Sequence, residues 1–153
     1  MLNKIILTFI GLLFLFDAFG ATPTSDASIP RGANIDKLIS DKAREYGFAP
    51  SLIHALIEVE STKKTDAVSH MGAMGLMQVM PKYHLRSCGL KAASELFTPF
   101  KNLDCGLSIL RNNVDKFGLF NGLKAYNGGA GCLKKNCGKE NLEYPHKILN
   151  KLA

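Results

Sequence analysis

The chain opens on an unbroken apolar block and then turns periodic. Ile5 to Phe16 is apolar apart from Thr8 and Gly11, follows the basic side chain of Lys4, and stops at Asp17. Spanning a bilayer takes about 20 apolar residues, so the run is too short for a comfortable transmembrane helix. Ala18-Phe19-Gly20 places small residues at −3 and −1 of a cleavage site, and residues 1–20 read as a secretory signal peptide. Residues 21–33, rich in Thr, Pro, Ser and Asp, read as a flexible leader.

From residue 34 the apolar positions fall at helical spacing. Ile35, Leu38, Ile39, Ala43 and Tyr46 form a 3.6-period stripe behind an Asn34 cap, with Gly47 as the stop. Pro50, tolerated at a first helical position, opens a second helix to about Ser61. Residues 62–74 are polar and predict a loop with a possible small hairpin; a turn of helix is expected around Gly75–Met80, ended by Pro81. Thr98-Pro99 starts the longest helix, carried by Leu103, Leu107, Leu110, Val114 and Phe117 to Gly118. A shorter helix covers about 119–126, the glycine-rich 127–131 segment breaks the pattern, and a closing helix from Pro145 carries Ile148, Leu149 and Leu152. No strands alternate with these helices and no repeat appears, so the expectation is one mostly α domain over residues 34–153.

Composition narrows the function classes. Lys+Arg 19 against Asp+Glu 13 gives a net charge of +6, which favours an anionic partner without naming it. Trp is absent and no basic block is interleaved with aromatics, so a nucleic-acid partner is not expected. Removing residues 1–20 leaves 133 residues at the same charge. Export also decides how the cysteines read: Cys88, Cys105, Cys132 and Cys137 are an even set in an oxidising compartment, where two disulfides are the default. Of three possible pairings the favoured one joins Cys132 to Cys137 across a tight loop and Cys88 to Cys105 between a loop and a helix, with the crossed alternatives open. No paired C-x₂-C spacing is present, so a zinc site using His146 is disfavoured and no metal or other cofactor is expected. His54, His70 and His84 read as surface residues.

One carboxylate lies on the wrong face of its helix. Ile53, Leu56 and Ile57 occupy i, i+3 and i+4, so i+7 falls on Glu60, whereas Glu58 lies about 200° round on the polar side with His54. Desolvation at the end of an apolar face disfavours the charged form and raises the pKa, as a general acid working near neutral pH requires. The next residues are Ser61, then Ser69, then Gly72-Ala73-Met74-Gly75-Leu76-Met77-Gln78, and far along the chain Ala125-Tyr126-Asn127 stands beside a flexible loop.

Glu60-Ser61, the nine-residue step to Ser69, the Gly72-Ala73-x-Gly75-Leu76-Met77-Gln78 stretch and Ala125-Tyr126-Asn127 together resemble the soluble lytic transglycosylase (SLT) family, with its goose-lysozyme-like fold. The resemblance covers about residues 33–150. It implies cleavage of the β-1,4 bond between N-acetylmuramic acid and N-acetylglucosamine in peptidoglycan, with Glu60 as the catalytic acid and then base, and a 1,6-anhydro product. It also implies that Ser69 positions Glu60 or the sugar, that Gln78 and Met80 line the glycan groove, and that Tyr126 and Asn127 orient the catalytic end and an N-acetyl group; Tyr144 matches the tyrosine of the last family motif. Plainer roles exist beside these: Met77 and Met80 as core filler, Ser69 as a turn cap, Tyr126 and Tyr144 as packed aromatics, Asn127 as a left-handed helix end.

Two departures from the family stand out. Thr62-Lys63-Lys64-Thr65 occupies the place of an aromatic and an Asn-Pro, and Ile109 stands where the longest helix usually carries a tyrosine. A muramidase-type hydrolase would need a second carboxylate, for which Asp66 is the candidate, and a non-catalytic glycan-binding assembly protein is the other rival. The expected setting is periplasmic or secreted: a monomer without a stable membrane anchor after signal cleavage, working on peptidoglycan strands beside the components of a secretion, conjugation or pilus apparatus.

Overall fold

The computed structural model describes residues 34–135 and 137–153. The signal-peptide and leader segments expected over 1–33 lie outside the described residues. Helix α1, Ile35–Glu45, begins as its sequence predicts: the Asn34 side chain accepts the Asp36 N–H at 3.0 Å. Asp36 in its first turn and Lys42 and Arg44 in its last complement the helix dipole. It ends at Gly47, whose φ of +71° a glycine adopts without strain. Helix α2, Pro50–Ser61, starts on proline and buries Leu52, Ile53, Leu56 and Ile57. Thr62 and Lys63 both take left-handed backbone angles and turn the chain out of α2; they are the first two of the four residues that replace the family's usual sequence.

The segment expected to form a helical turn at Gly75–Met80 is instead a tight turn between two isolated antiparallel bridges, Val68 with Met74 and Met74 with Val79. Pro81 does not end a helix; it opens α3, Pro81–His84, where its missing N–H is unneeded. A short 3₁₀ helix, Ala93–Phe97, follows, its start held by the Glu95 carboxylate, which accepts the N–H groups of Lys91 and Ala92.

Helix α4 runs Pro99–Gly128 with a break at Gly118 (φ +75°), so the expected long and short helices are both there, joined end to end. A 3₁₀ turn, Ala130–Leu133, leads to α5, Lys139–Leu149. This last helix starts six residues before the expected Pro145, which sits inside it. α1 packs on α2 and α4, and α5 packs on α2 and α4, around one core that includes Ile39, Ile53, Leu56, Leu76, Met77, Leu103, Leu107, Leu110, Leu123 and Ile148, all fully buried. Cys88–Cys105 and Cys132–Cys137 are the two disulfides, the favoured pairing. The result is a mostly helical domain.

Candidate active site

Glu60 is carried into the site by the stripe that predicted it. Ile53, Leu56 and Ile57 are fully buried, and the next position on that face puts the carboxyl partly inside the protein near the end of α2. Burial pushes Glu60 up from about 4.5 to about 7, against the opposing effect of the Tyr144 hydroxyl, which donates to its Oε1. Tyr144 arrives from α5 and is 3% exposed. The Tyr126 hydroxyl donates to the Met77 carbonyl at 2.7 Å. Burial and the Glu60 charge hold both phenols well above their ordinary value, so each stays a neutral donor.

The 61–79 loop is clamped from below by three polar side chains. Buried Ser61 donates to the Leu76 carbonyl at 2.8 Å, tying the end of α2 to the turn. Fully buried Asn102, from α4, accepts the Met77 N–H at 2.8 Å and donates to the carbonyls of Met74 and Leu96. Gly75 (φ +74°) has no room for a side chain, since a Cβ there would collide with the Asn102 amide. Leu76 and Met77 can then drop into the core, and Gln78 at φ +47° folds its amide back onto the carbonyls of Gly75 and Ala67. No sequence signal marked Asn102, because two of its three partners, Met74 and Met77, lie on a turn 25 or more residues away.

Beside this turn lies a cleft of about 920 Å³. Met71, Met80, Tyr83 and His84 form one side, Ser108, Ile109, Asn112 and Asn113 of α4 another, and Tyr126, Asn127 and the following glycines the end. Met80 and Ile109 line it, and Met77 is core. Asn127 lines it without left-handed geometry, inside the last turn of α4, and its Oδ1 accepts from Asn141 at 3.0 Å. His84 is a cleft residue, not a surface one, and burial lowers its pKa, so it is neutral at pH 7. His54 is likewise partly buried, bonded to Ser40 at 2.9 Å.

Gln78, Ser69, Glu60 and Tyr144 are not among the cleft-lining residues. Ser69 closes its own turn, accepting the Ala73 N–H at 3.0 Å. Glu60 is linked to the cleft electrostatically, since Tyr126 lines it and feels the Glu60 charge. The lining has no Lys, Arg, Asp or Glu, so the +6 of the whole chain is not focused here. Among the described residues no cluster of His, Cys, Asp or Glu is placed to hold a metal ion, and no helix is long and apolar enough to cross a membrane.

The arrangement is a cleft lined by neutral polar and apolar side chains, with a partly buried carboxyl, Glu60, whose charge acts on its Tyr126. The chain is 33% identical over 115 residues to the transglycosylase of Enterobacteria phage PRD1, covering 74% of this chain and 41% of that protein. It is 36% identical over 132 residues to the membrane-bound lytic murein transglycosylase C of Klebsiella pneumoniae, covering 76% of this chain and 36% of that protein. It thus spans about two fifths or less of the length of these relatives. The solved structure of an inactive mutant of the lytic transglycosylase Slt from Pseudomonas aeruginosa matches with a TM-score of 0.66 at 25% identity, over 84% of this chain and 25% of that one. The Transglycosylase SLT domain family matches residues 37–148, and this chain belongs to that family.

Proposed function

We propose that this protein is a peptidoglycan lytic transglycosylase, with residues 34–153 as its catalytic domain, cleaving between N-acetylmuramic acid and N-acetylglucosamine to leave a 1,6-anhydromuramoyl end. The observation that carries the reading is a single partly buried carboxyl, Glu60, raised to about 7 and held by Tyr144, whose charge acts on Tyr126 of a cleft that has no carboxylate of its own. At neutral pH such a group is populated in both protonation states, as a residue that must act first as acid and then as base requires. Protonated Glu60 gives its proton to the glycosidic oxygen as the C1–O bond breaks. The resulting carboxylate takes the proton of the muramoyl 6-hydroxyl, whose oxygen closes onto C1. The proton returns to Glu60 and no water is consumed.

The Tyr144 hydroxyl holds the carboxyl in place and offsets part of the burial effect, keeping the base form accessible. Tyr126 and Asn127 meet the sugar and Met80 lines the groove in this reading, which their shared place in the cleft lining supports. Ser69 and Gln78 act through the loop, whose shape their hydrogen bonds maintain. A water-activating hydrolase needs a second carboxyl about 5–9.5 Å from the first across the bond, and the sequence candidate for it, Asp66, is exposed to solvent, unlike the partly buried Glu60.

Mass analysis of digested peptidoglycan tests the reaction: 1,6-anhydro ends support it, and reducing muramic ends sink it. Glu60→Gln is expected to lower turnover about 10²–10⁴-fold; full lysis by this variant, or none by the wild type, leaves a non-catalytic glycan binder. The proposal places the enzyme in the periplasm after export, opening the wall locally for a secretion, conjugation or pilus system. Cell fractionation checks the first part. Deletion that spares bulk growth but blocks assembly of the machine supports the second, and a normal machine refutes it.

A further inference from the structure

We propose that Asn141, buried in α5 outside the cleft, fixes the polarity of Asn127 so that the cleft presents an amide donor to the acetamido carbonyl of a bound sugar. The inference rests on the glycan-cleaving reading, in which Asn127 meets an N-acetyl group, and adds the positioning residue that sets which end of its amide faces the sugar.

The order of the hydrogen bonds settles each orientation in turn. The Lys124 carbonyl can only accept, and it takes the Asn141 Nδ2 at 2.9 Å. Turning the Asn141 amide over would set two oxygens against each other, so Asn141 has one orientation. Its Nδ2 also donates to Asn127 Oδ1 at 3.0 Å. That occupies the accepting end of the Asn127 amide on the buried side and leaves its planar Nδ2 turned away from Asn141, toward the cleft that exposed Asn127 lines. An unrestrained asparagine at a cleft edge could present either end; this one presents a donor.

These two bonds tie α5 to α4, yet one end of the Asn141 amide is left over. Asn141 is 3% exposed and its Oδ1 is buried without a partner, an arrangement that is destabilising. The surroundings are shaped to admit it: a Cβ on Gly128 would fall 2.5 Å from Asn141 Nδ2 and 2.6 Å from Cys132 Sγ, so the residue after Asn127 has to be glycine. A fixed neutral donor in an uncharged cleft calls for a neutral acceptor. The acetamido carbonyl supplies one, whereas the 2-hydroxyl of a plain glucan can donate or accept and gains nothing from the fixed polarity.

Calorimetric binding of chitotetraose and cellotetraose, two uncharged β-1,4 tetramers differing at C2, tests the inference on wild type, Asn141→Leu, Asn127→Ala and the double variant. Wild type is expected to prefer chitotetraose by about tenfold. Asn141→Leu is expected to cut that preference to about threefold or less with cellotetraose affinity unchanged, and the double variant to match Asn127→Ala alone. A folded Asn141→Leu with the wild-type preference, or additive losses in the double variant, overturns the inference. Should Asn141→Leu fail to fold, Asn127→Asp at the exposed position replaces the donor with an acceptor, and a preference that survives it is equally fatal. A wild type that prefers chitotetraose but makes no anhydro ends defeats the lyase reading alone; one without the preference that still makes anhydro ends defeats this inference alone.

Discussion

At the scale of single residues, the catalytic role proposed for Glu60 is tied to stability through one proton. A carboxyl held at about 7 in the folded chain against about 4.5 unfolded binds its proton more tightly when folded, so stability falls as pH rises between these values. Above about pH 7 the full penalty applies, about 3 kcal/mol. Glu60→Gln keeps an acceptor for Tyr144 and removes the titration. It should melt like wild type near pH 4.5 and be more stable by about 3 kcal/mol at pH 8, while inactive; an equal difference at both pH values would deny Glu60 its buried charge. Tyr144→Phe removes the hydrogen bond that lowers the Glu60 pKa, so the alkaline limb of the pH–rate profile should move to higher pH, and a limb that stays put breaks the link between them. Glu60 was legible in the sequence because it interrupts a local apolar stripe. Asn102 and Asn141 were not, since each is an ordinary polar residue on its own helix and becomes special only through partners 25 and 14 residues away.

Among the elements, α1, α2 and α4 were legible because their caps and prolines sit at their ends, where local chemistry and the native backbone agree. The Gly75–Met80 turn was misread for a physical reason: Leu76, Met77 and Met80 fit helical spacing, but Gly75 and Gln78 take positive φ, and Asn102 replaces the backbone acceptor that a helix would have given Met77. Pro145 misled in the opposite way. Proline inside a helix removes a hydrogen bond, yet α5 continues through it because Tyr144, Pro145 and Ile148 are all buried against the core. Tertiary packing outweighs local preference in both places. Asn102→Ala should therefore lower stability by about 2–4 kcal/mol in urea melts, since it strands the Met77 N–H and two carbonyls in the interior. It should also lower turnover, because the turn it anchors carries the carbonyl that holds Tyr126. Loss of stability with turnover unchanged at a temperature where the variant is folded would separate the turn from the site.

For the molecule as a whole, crosslinks and charge are distributed around the cleft in different ways. Cys88 lines it and is tied to Cys105 of α4 across 17 residues, so Cys88→Ser is expected to lower stability by about 3 kcal/mol and weaken oligosaccharide binding; a melting temperature unchanged by the substitution would remove the bond from the framework. The net charge of +6, in contrast, lies outside the cleft lining, which has no Lys, Arg, Asp or Glu and a His84 that burial keeps neutral. In the proposed reaction two steps with different physics follow. Adsorption to a wall carrying peptide carboxylates is a surface attraction, screened as the Debye length falls from about 10 Å at 0.1 M salt to about 3 Å at 1 M. Seating a sugar in the cleft is hydrogen bonding and apolar contact, which salt hardly touches. Raising salt from 0.1 to 1 M should therefore raise the apparent KM on intact sacculi several-fold, with chitotetraose affinity and kcat nearly constant. If oligosaccharide affinity fell in step with sacculus binding, the charge would be acting inside the groove, and the neutral lining could not be what selects the glycan.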